Sequence, residues 1–196
     1  MKLSLQHLQR VYDPNDPNSK EKLDAVIHSI VEQIDALTKI ANEFSNFAKM
    51  PRENKFKIDI LPIIERAIIV FDQEQEIKLS NFSENTHILG DKDLILRVFN
   101  NLIQNAIQAI PEDKKGNILI TLKNQNNQLL ISIEDNGKGI PKEMQAKIFM
   151  PNFTTKSTGT GLGLAMVKQI IQLHEGEIWF ESDQNRTVFF ITLPLV

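Results

Sequence analysis

Apolar residues near the N-terminus recur in alternating steps of four and three: Leu23, Ile27, Ile30, Ile34, Leu37, Ala41, Phe44 and Ala48. This heptad-like spacing predicts a long amphipathic helix with a narrow apolar seam. Asn18 or Ser19 is placed to cap it, Glu21 follows Asn18 by three residues as in a capping box, and Pro51 ends it. Upstream, Leu5, Leu8 and Val11 predict a short helix, joined to the long one through the turn-rich segment Asp13-Pro14-Asn15-Asp16-Pro17. Two helices with a short connector predict an antiparallel hairpin over residues 1–50. The long helix carries more apolar surface than the short one can cover, so a second copy is expected to complete the bundle, the alternative being a hairpin packed on the rest of its own chain.

The pattern changes after Pro51, and residues 51–196 are expected to form a second domain. Phe56, Ile58 and Ile60 alternate like a strand, and Ile63, Ile64, Ala67, Ile68 and Phe71 follow helical spacing with Asp59 as cap. Ile77 to Phe82 and His87 to Leu89 read as short strands. Asp91 is expected to cap a helix from Lys92 to Ile110, stopped by Pro111. Two alternating runs, Asn117 to Lys123 and Gln128 to Glu134, are joined by an Asn/Gln-rich turn. A short helix from Pro141 to Ile148 precedes a polar loop. A further helix runs to His174 with Gly176 as its stop, and strands Glu177 to Ser182 and Thr187 to Leu193 close the chain. Helices on one face of a mixed, mostly antiparallel sheet make this domain α+β, a two-layer α/β sandwich.

Composition narrows the functional classes. The 196 residues carry a net charge of −3, leaving no basic excess to neutralise nucleic-acid phosphates. Hydrophobic content of 41% and charged content of 24% are those of a protein with a core. No run approaches a membrane span and the N-terminus lacks an apolar leader, so a cytoplasmic location without membrane contact is expected. The absence of cysteine excludes disulfides and thiolate chemistry.

Three groups of residues carry chemistry. Asn101 and Asn105 lie four apart in a predicted helix and share a face; a carboxamide oxygen is a neutral, hard ligand suited to Mg²⁺. Asp135-Asn136-Gly137-Lys138-Gly139 follows a strand, where a buried carboxylate can accept a hydrogen bond from an adenine amino group. Gly137 and Gly139 there allow close approach to a flat ring or positive φ. Gly159-Thr160-Gly161-Leu162-Gly163 opens a helix, where backbone N–H groups can face phosphate oxygens. Neither a parallel βαβ unit nor a Walker-type loop surrounds it, so it is a phosphate cradle of another kind.

In order along the chain stand Asn101-Leu102-Ile103-Gln104-Asn105-Ala106, Asp135-Asn136-Gly137-Lys138-Gly139-Ile140, Ile148-Phe149-Met150-Pro151-Asn152-Phe153-Thr154-Thr155-Lys156 and Gly159-Thr160-Gly161-Leu162-Gly163-Leu164. Together these resemble the N, first glycine, F and second glycine boxes of sensor histidine kinases, members of the GHKL superfamily. The resemblance covers roughly the C-terminal half and implies a Bergerat-type ATP-binding fold. It implies that Asn105 ligates Mg²⁺ and Asn101 supports metal and phosphates. Asp135 would bind the adenine amino group in a pocket shaped by Gly137, Gly139 and Ile140, with Thr187 near the base. Thr155 and Lys156 would reach phosphate from a mobile lid over Met150 to Thr160, while Gly159, Thr160, Gly161, Leu162, Gly163 and Leu164 form the cradle. Phe149 and Phe153 would anchor the lid by packing.

The N-terminal region resembles the dimerisation and histidine-phosphotransfer hairpin of the same kinases, and Asn42 to Pro51 resembles that of NtrY-type nitrogen-regulation sensors. The expected partners are therefore a second copy, through the hairpin, and the receiver domain of a response regulator. None of the four histidines, His7, His28, His87 and His174, precedes the acidic residue and proline that follow the family's phosphoacceptor. The chain is thus expected to be part of a longer receptor anchored in the inner membrane, binding ATP without phosphorylating itself.

Two alternatives share the boxes: an anti-sigma-type serine kinase, which does not normally carry a long N-terminal hairpin, and a non-catalytic nucleotide-sensing module. An ATP-driven clamp is disfavoured, because such hydrolases place a glutamate where Asn101 stands and an amide cannot act as a general base. Many histidine kinases carry a basic residue three positions after the metal-binding asparagine; here that residue is Gln108. Phosphate charge is then expected to rest more heavily on Mg²⁺ and Lys156. Lys156→Ala is accordingly expected to reduce turnover more than adenine-nucleotide affinity; equal losses in a paired kinetic and calorimetric measurement would refute that division.

Overall fold

The heptad seam forms the helix it predicts. In the computed structural model, which describes residues 19–48, 54–71, 76–154 and 159–196, helix α1 runs unbroken over Ser19–Ala48. Ile27, Val31, Ile34 and Leu37 are 43%, 49%, 44% and 50% exposed, so the apolar stripe is open along one side. The predicted short helix at Leu5, Leu8 and Val11 lies outside the described residues. The chain divides into two units: α1 belongs to the first, and residues 54 to 154 and 161 to 196 belong to the second.

The second unit is built on a five-stranded sheet. Its strands are β2 (Glu76–Asn81), β4 (Asn117–Gln125), β5 (Gln128–Asp135), β6 (Glu177–Ser182) and β7 (Thr187–Pro194), in the order β2-β4-β5-β7-β6. β2 pairs with β4 in parallel and the other pairs are antiparallel. Strand alternation sends Ile118, Ile120 and Leu122, then Leu129, Ile131 and Ile133, then Ile191 and Leu193, to one buried face. Helices α2 (Leu61–Phe71), α3 (Lys92–Ala109) and α5 (Gly163–Leu173) form the second layer, with α3 packed against both neighbours. The opposite sheet face carries Lys78, Lys123, Glu134 and Glu181, and a stacked pair, Trp179 and Phe190, with centroids 5.4 Å apart. The two-layer α+β sandwich is therefore as expected from the sequence.

Some details differ. β1 (Phe56–Asp59) and β3 (His87–Gly90) pair with each other in a separate two-stranded sheet, a partnership that alternation alone does not specify. The helix expected from Pro141 to Ile148 is only α4 (Lys142–Gln145), continued by turns. Asp59 Oδ1 accepts from Leu61 N at 3.1 Å and from Thr86 Oγ1 at 2.6 Å, tying the start of α2 to the end of the small sheet.

Local chemistry fixes the ends of the longer elements. Asp91 caps α3 by accepting from Asp93 N and Leu94 N at 2.9 and 3.2 Å. Asn126 and Asn127 take φ of 49° and 61°, giving the β4–β5 hairpin the left-handed pair that a tight two-residue turn needs. At the other end of α5, Gly176 N donates to Ile171 O and Glu175 N to Gln172 O, both at 3.0 Å, the paired bonds of a Schellman stop. Gly176 thus marks the stop as expected, while the left-handed conformation is taken by Glu175, with φ 59°. Gly176 is needed for space instead, since a Cβ there would overlap the Thr192 carbonyl oxygen.

His174, 3% exposed, follows α5 and reaches across to α3. Its Nδ1 donates to Ile170 O at 2.7 Å and its Nε2 accepts from Asp91 N at 3.0 Å. That pairing requires a neutral ring with the proton on Nδ1.

A glutamate at positive φ carries a backbone penalty that glycine does not. Glu175→Gly is expected to raise unfolding free energy by about 1 kcal/mol, read from the urea midpoint; a loss of stability would show that the Glu175 side chain offsets its backbone strain.

Candidate functional site

The polar residues of the site stand in one row across strand ends. Register places Asp135 on β5 between Ile118 of β4 and Thr187 of β7, and Thr187 beside Ser182 of β6. All four sit on the helix-facing side, where the row continues the apolar core. Asp135 and Thr187 are 2% and 3% exposed. Burial pushes the Asp135 carboxyl up to about 6 from its ordinary 3.8; the Gly137 N–H pulls it down, the charge of Glu134 raises it, and Lys114 lowers it. Gly137 N donates to Asp135 Oδ1 at 2.9 Å.

The loop after β5 is held from two sides. Lys138 N donates to Ala109 O at the end of α3 at 3.0 Å. A Cβ on Gly137 would lie 2.7 Å from that same carbonyl oxygen, so only glycine lets the loop approach so closely. Gly139, at φ 69°, abuts the Asp183 carbonyl of the β6–β7 hairpin. Ile140 N donates to Ser182 Oγ at 2.8 Å, and Ser182 Oγ lies 3.0 Å from Thr187 Oγ1. The Lys114 ammonium donates to Asn136 O.

Beside this loop, α3 and α5 bring the asparagines and glycines together. Asn101 and Asn105, both half-buried, lie one helical turn apart on α3. Asn101 Nδ2 donates to Arg97 O at 2.8 Å, and Asn101 Oδ1 would lie 2.7 Å from a Cβ on Gly163. Gly161, at φ 68°, has no room for a Cβ against the backbone of Asn152 and Phe153. Leu162 is buried and precedes the first turn of α5, which includes Leu164 and which no side chain caps. An uncapped helix N-terminus beside a carboxamide and a buried acceptor fits a nucleotide with its phosphates and a hard cation. Phe149 packs edge-on against Phe180 and Phe189, at 6.0 and 6.4 Å between centroids, with the Lys168 ammonium 5.6 Å from its ring centre.

Of the residues singled out from sequence, Asn101, Asn105, Asp135, Gly137, Gly139, Ile140, Phe149, Gly161, Leu162, Gly163, Leu164 and Thr187 all belong to the second unit. Gly159 and Thr160 are half-buried and group with the first unit. Thr155 and Lys156 lie outside the described residues. Sequence reading missed Ser182, although its signal was present. In β6 the inward positions are Ile178, Phe180 and then Ser182, a polar residue ending an apolar row.

Helices on one sheet face, a buried strand-end carboxylate and a glycine-opened helix define the class: a two-layer nucleotide-binding fold. The family described as histidine kinase-, DNA gyrase B-, and HSP90-like ATPase matches residues 90–196, and the chain belongs to it. Among curated relatives, the sensory histidine kinase/phosphatase NtrB of Azospirillum brasilense is 28% identical over 92% of this chain and 49% of its own length. The histidine-protein kinase AtoS of Escherichia coli is 34% identical over 92% and 30%, and NtrY of Azorhizobium caulinodans 30% identical over 91% and 24%. The chain thus spans about half or less of the length of these relatives. Among solved structures, the catalytic domain of histidine kinase ThkA is 33% identical, with a TM-score of 0.65, over 72% of this chain and 95% of that one. ThkA in complex with the response regulator TrrA is 25% identical, with a TM-score of 0.72, over 98% of this chain and 55% of that one.

The raised Asp135 pKa has a sign that can be tested. Between about 3.8 and about 6 the folded chain holds a proton that the unfolded chain has lost, so stability falls as pH rises through that window. Asp135→Asn keeps an acceptor for Gly137 N and removes the charge. It is expected to stabilise the nucleotide-free protein at pH 7.5 by up to about 3 kcal/mol, and by much less at pH 4.5. Denaturant midpoints at both values decide it; the same gain at each pH would separate the effect from ionisation.

Proposed function

We propose that the second unit holds Mg²⁺-ATP and transfers its γ-phosphate to a histidine on a helical hairpin, for relay to the receiver domain of a response regulator. The observation that carries this reading is the buried Asp135–Thr187 pair at the strand ends, beside the asparagines of α3 and the uncapped start of α5. Asp135 accepts a hydrogen bond from the adenine amino group, and Thr187 meets the neighbouring part of the ring. Gly137, Gly139 and Ile140 shape the pocket floor. Asn105 ligates the cation, and Asn101 orients the phosphates while spacing α3 from Gly163. Bound Mg²⁺ would neutralise charge on the phosphate chain during transfer. Backbone N–H groups at Gly161, Leu162, Gly163 and Leu164 donate to the phosphate oxygens. The sequence resemblance assigns Thr155, Lys156, Gly159 and Thr160 to phosphate binding as well.

The acceptor histidine comes from another segment. His28 is exposed on α1 and pairs with Glu32 at 3.4 Å, and no acidic residue follows it directly. His87 Nδ1 lies 3.2 Å from Asn85 Oδ1, and His174 is committed to Asp91 and Ile170. The open stripe on α1 supports pairing with a second copy. The ThkA–TrrA complex supports a response-regulator partner. Similar identities to NtrB and NtrY support a place among nitrogen-regulation-type sensors. Among the described residues no helix is long and apolar enough to cross a membrane; a cytoplasmic catalytic unit within a membrane-anchored receptor fits the family.

Titration calorimetry with Mg²⁺ and a non-hydrolysable ATP analogue tests the binding half. Saturable binding is expected, with Asn105→Ala and Asp135→Asn each weakening it by about tenfold or more. The transfer half is read by adding a separate hairpin that carries the acceptor histidine, together with γ-labelled ATP. Acid-labile label should reach that hairpin and not this chain. Binding without any transfer would favour the nucleotide-sensing module instead.

A further inference from the structure

We propose that β6, a free edge of the five-stranded sheet, takes up an extended basic segment of a partner protein as an added antiparallel strand, with two cations of that segment meeting Glu177 and Glu181 on either side of Trp179. The surface lies apart from the strand-end site, and the proposal does not rest on the nucleotide-binding reading.

Hairpin geometry fixes which way the backbone of β6 points. Asp183 N donates to Arg186 O at 3.0 Å, so the pair that closes the β6–β7 hairpin is a hydrogen-bonded one. Such pairs alternate along an antiparallel ladder. Glu181, Trp179 and Glu177 therefore turn their N–H and C=O groups towards Val188, Phe190 and Thr192, while Phe180 and Ile178 turn theirs away from β7. β6 stands last in the sheet, so those groups face its open edge. At the Ser182 end the loop of Gly139 and Ile140 closes in, which leaves Glu177 to Glu181 as the open stretch.

The side chains of this stretch say what would bind there. Phe180 points to the helix layer, against Phe149 and Phe189, and Ile178 shares its face. Glu177, Trp179 and Glu181 stand on the other face. Trp179 is 39% exposed and lies flat on Phe190, at 15° and 5.4 Å between centroids, a rigid apolar platform. Both glutamates are exposed, and among the described residues neither has an ion-pair partner. Their neighbours across the ladder, Thr192 and Val188, are neutral. The opposite edge differs: on β2 the Glu76 carboxylate is held by Lys78 at 2.9 Å and Lys115 at 3.1 Å.

Exposed edges are ordinarily blunted by lysine, proline or a bulge, and Glu177–Ser182 has none of these. A second copy of β6 does not fit it, because antiparallel pairing about Trp179 would set the two glutamates of one copy against those of the other. A strand that fits carries cations at positions i and i+4, an apolar residue at i+2 to lie on Trp179, and apolar residues between them beside Ile178 and Phe180. Main-chain bonds to Ile178 and Phe180 would hold such a strand, and the two carboxylates would select it.

The chain has a single tryptophan, so Trp179 fluorescence reports directly on this edge. The full chain is titrated with the peptide acetyl-Thr-Lys-Val-Leu-Val-Lys-Thr-amide, with its counterpart carrying glutamates for lysines, and with a form N-methylated at both valines. A saturable fluorescence change is expected with the basic peptide and not with the acidic one. Glu177→Gln combined with Glu181→Gln should weaken binding about tenfold. Glu177→Lys combined with Glu181→Lys should transfer binding to the acidic peptide. N-methylation removes the donors that face Ile178 and Phe180 and should weaken binding by about tenfold or more. Thermal melts separate a folding defect from lost binding; if a double variant melts early, Glu181→Gln alone is titrated, with about a threefold loss expected. Equal affinity for the N-methylated peptide would show that charge alone holds it and overturns the added strand. Binding that survives loss of the carboxylates in a folded variant, or no saturable binding of the basic peptide to the unmodified chain, overturns the proposal as well.

Discussion

A carboxylate buried at the end of a central strand is the constraint on which the second unit turns. Asp135 sits with Ile118 on one side and Thr187 on the other, almost wholly out of water, and burial holds its proton well above the usual carboxylate range. In the free protein this is a liability, since above that range a charge must be kept in an apolar row with few partners. The surroundings limit the damage without removing it. Gly137 N–H supplies one bond, and the Lys114 charge supplies a weaker pull from the surface. A fold optimised for stability alone would place an apolar residue there, as Ile118 does in the same row. Retaining a costly group at a strand end beside a helix with two half-buried asparagines is the signature of a binding site.

The glycines then act as joints between elements that must nearly touch. Gly137 meets the last carbonyl of α3, Gly139 the β6–β7 hairpin, Gly161 the Asn152–Phe153 backbone, and Gly163 the Asn101 carboxamide. The Gly161 and Gly163 contacts each link two of the sequence boxes, and the Gly137 and Gly139 contacts tie a box to α3 and to the sheet. The boxes are therefore more than separate ligand contacts, because each also sets the distance to the next. A side chain at Gly163 would displace the Asn101 carboxamide.

Much of this was legible in the sequence where the rule is local. The Asp91 cap, the Asn126–Asn127 turn and the heptad seam each depend on residues a few positions apart, and each is found where expected. Asn101 and Asn105 share a face because helical periodicity requires it. What escaped depends on contacts far apart in sequence. The pairing of β1 with β3, and the role of Ser182 between Ile140 and Thr187, are set by topology that no window reveals. Gly176 stops α5 where expected, but only the tertiary structure shows that Glu175 takes the left-handed conformation and that Gly176 serves a crowded contact with β7.

The helix pair α3 and α5 shows how a distant residue can hold site geometry. At the site end their spacing is set by Gly163 against Asn101. At the far end it is set by His174, whose neutral ring accepts from the backbone of the α3 cap residue Asp91 and donates within its own helix end. Two fixed points on two stiff helices leave little freedom for the first turn of α5 to slide along α3. Replacing His174 by an apolar residue would leave Asp91 N without its partner and free one of those points. The first turn of α5 would then lose its register with Asn101 and Asn105, although neither helix's site-facing residues had been changed. The placement of His174 is thus explained by its hydrogen bonds, and its ring is not available as a phosphoacceptor.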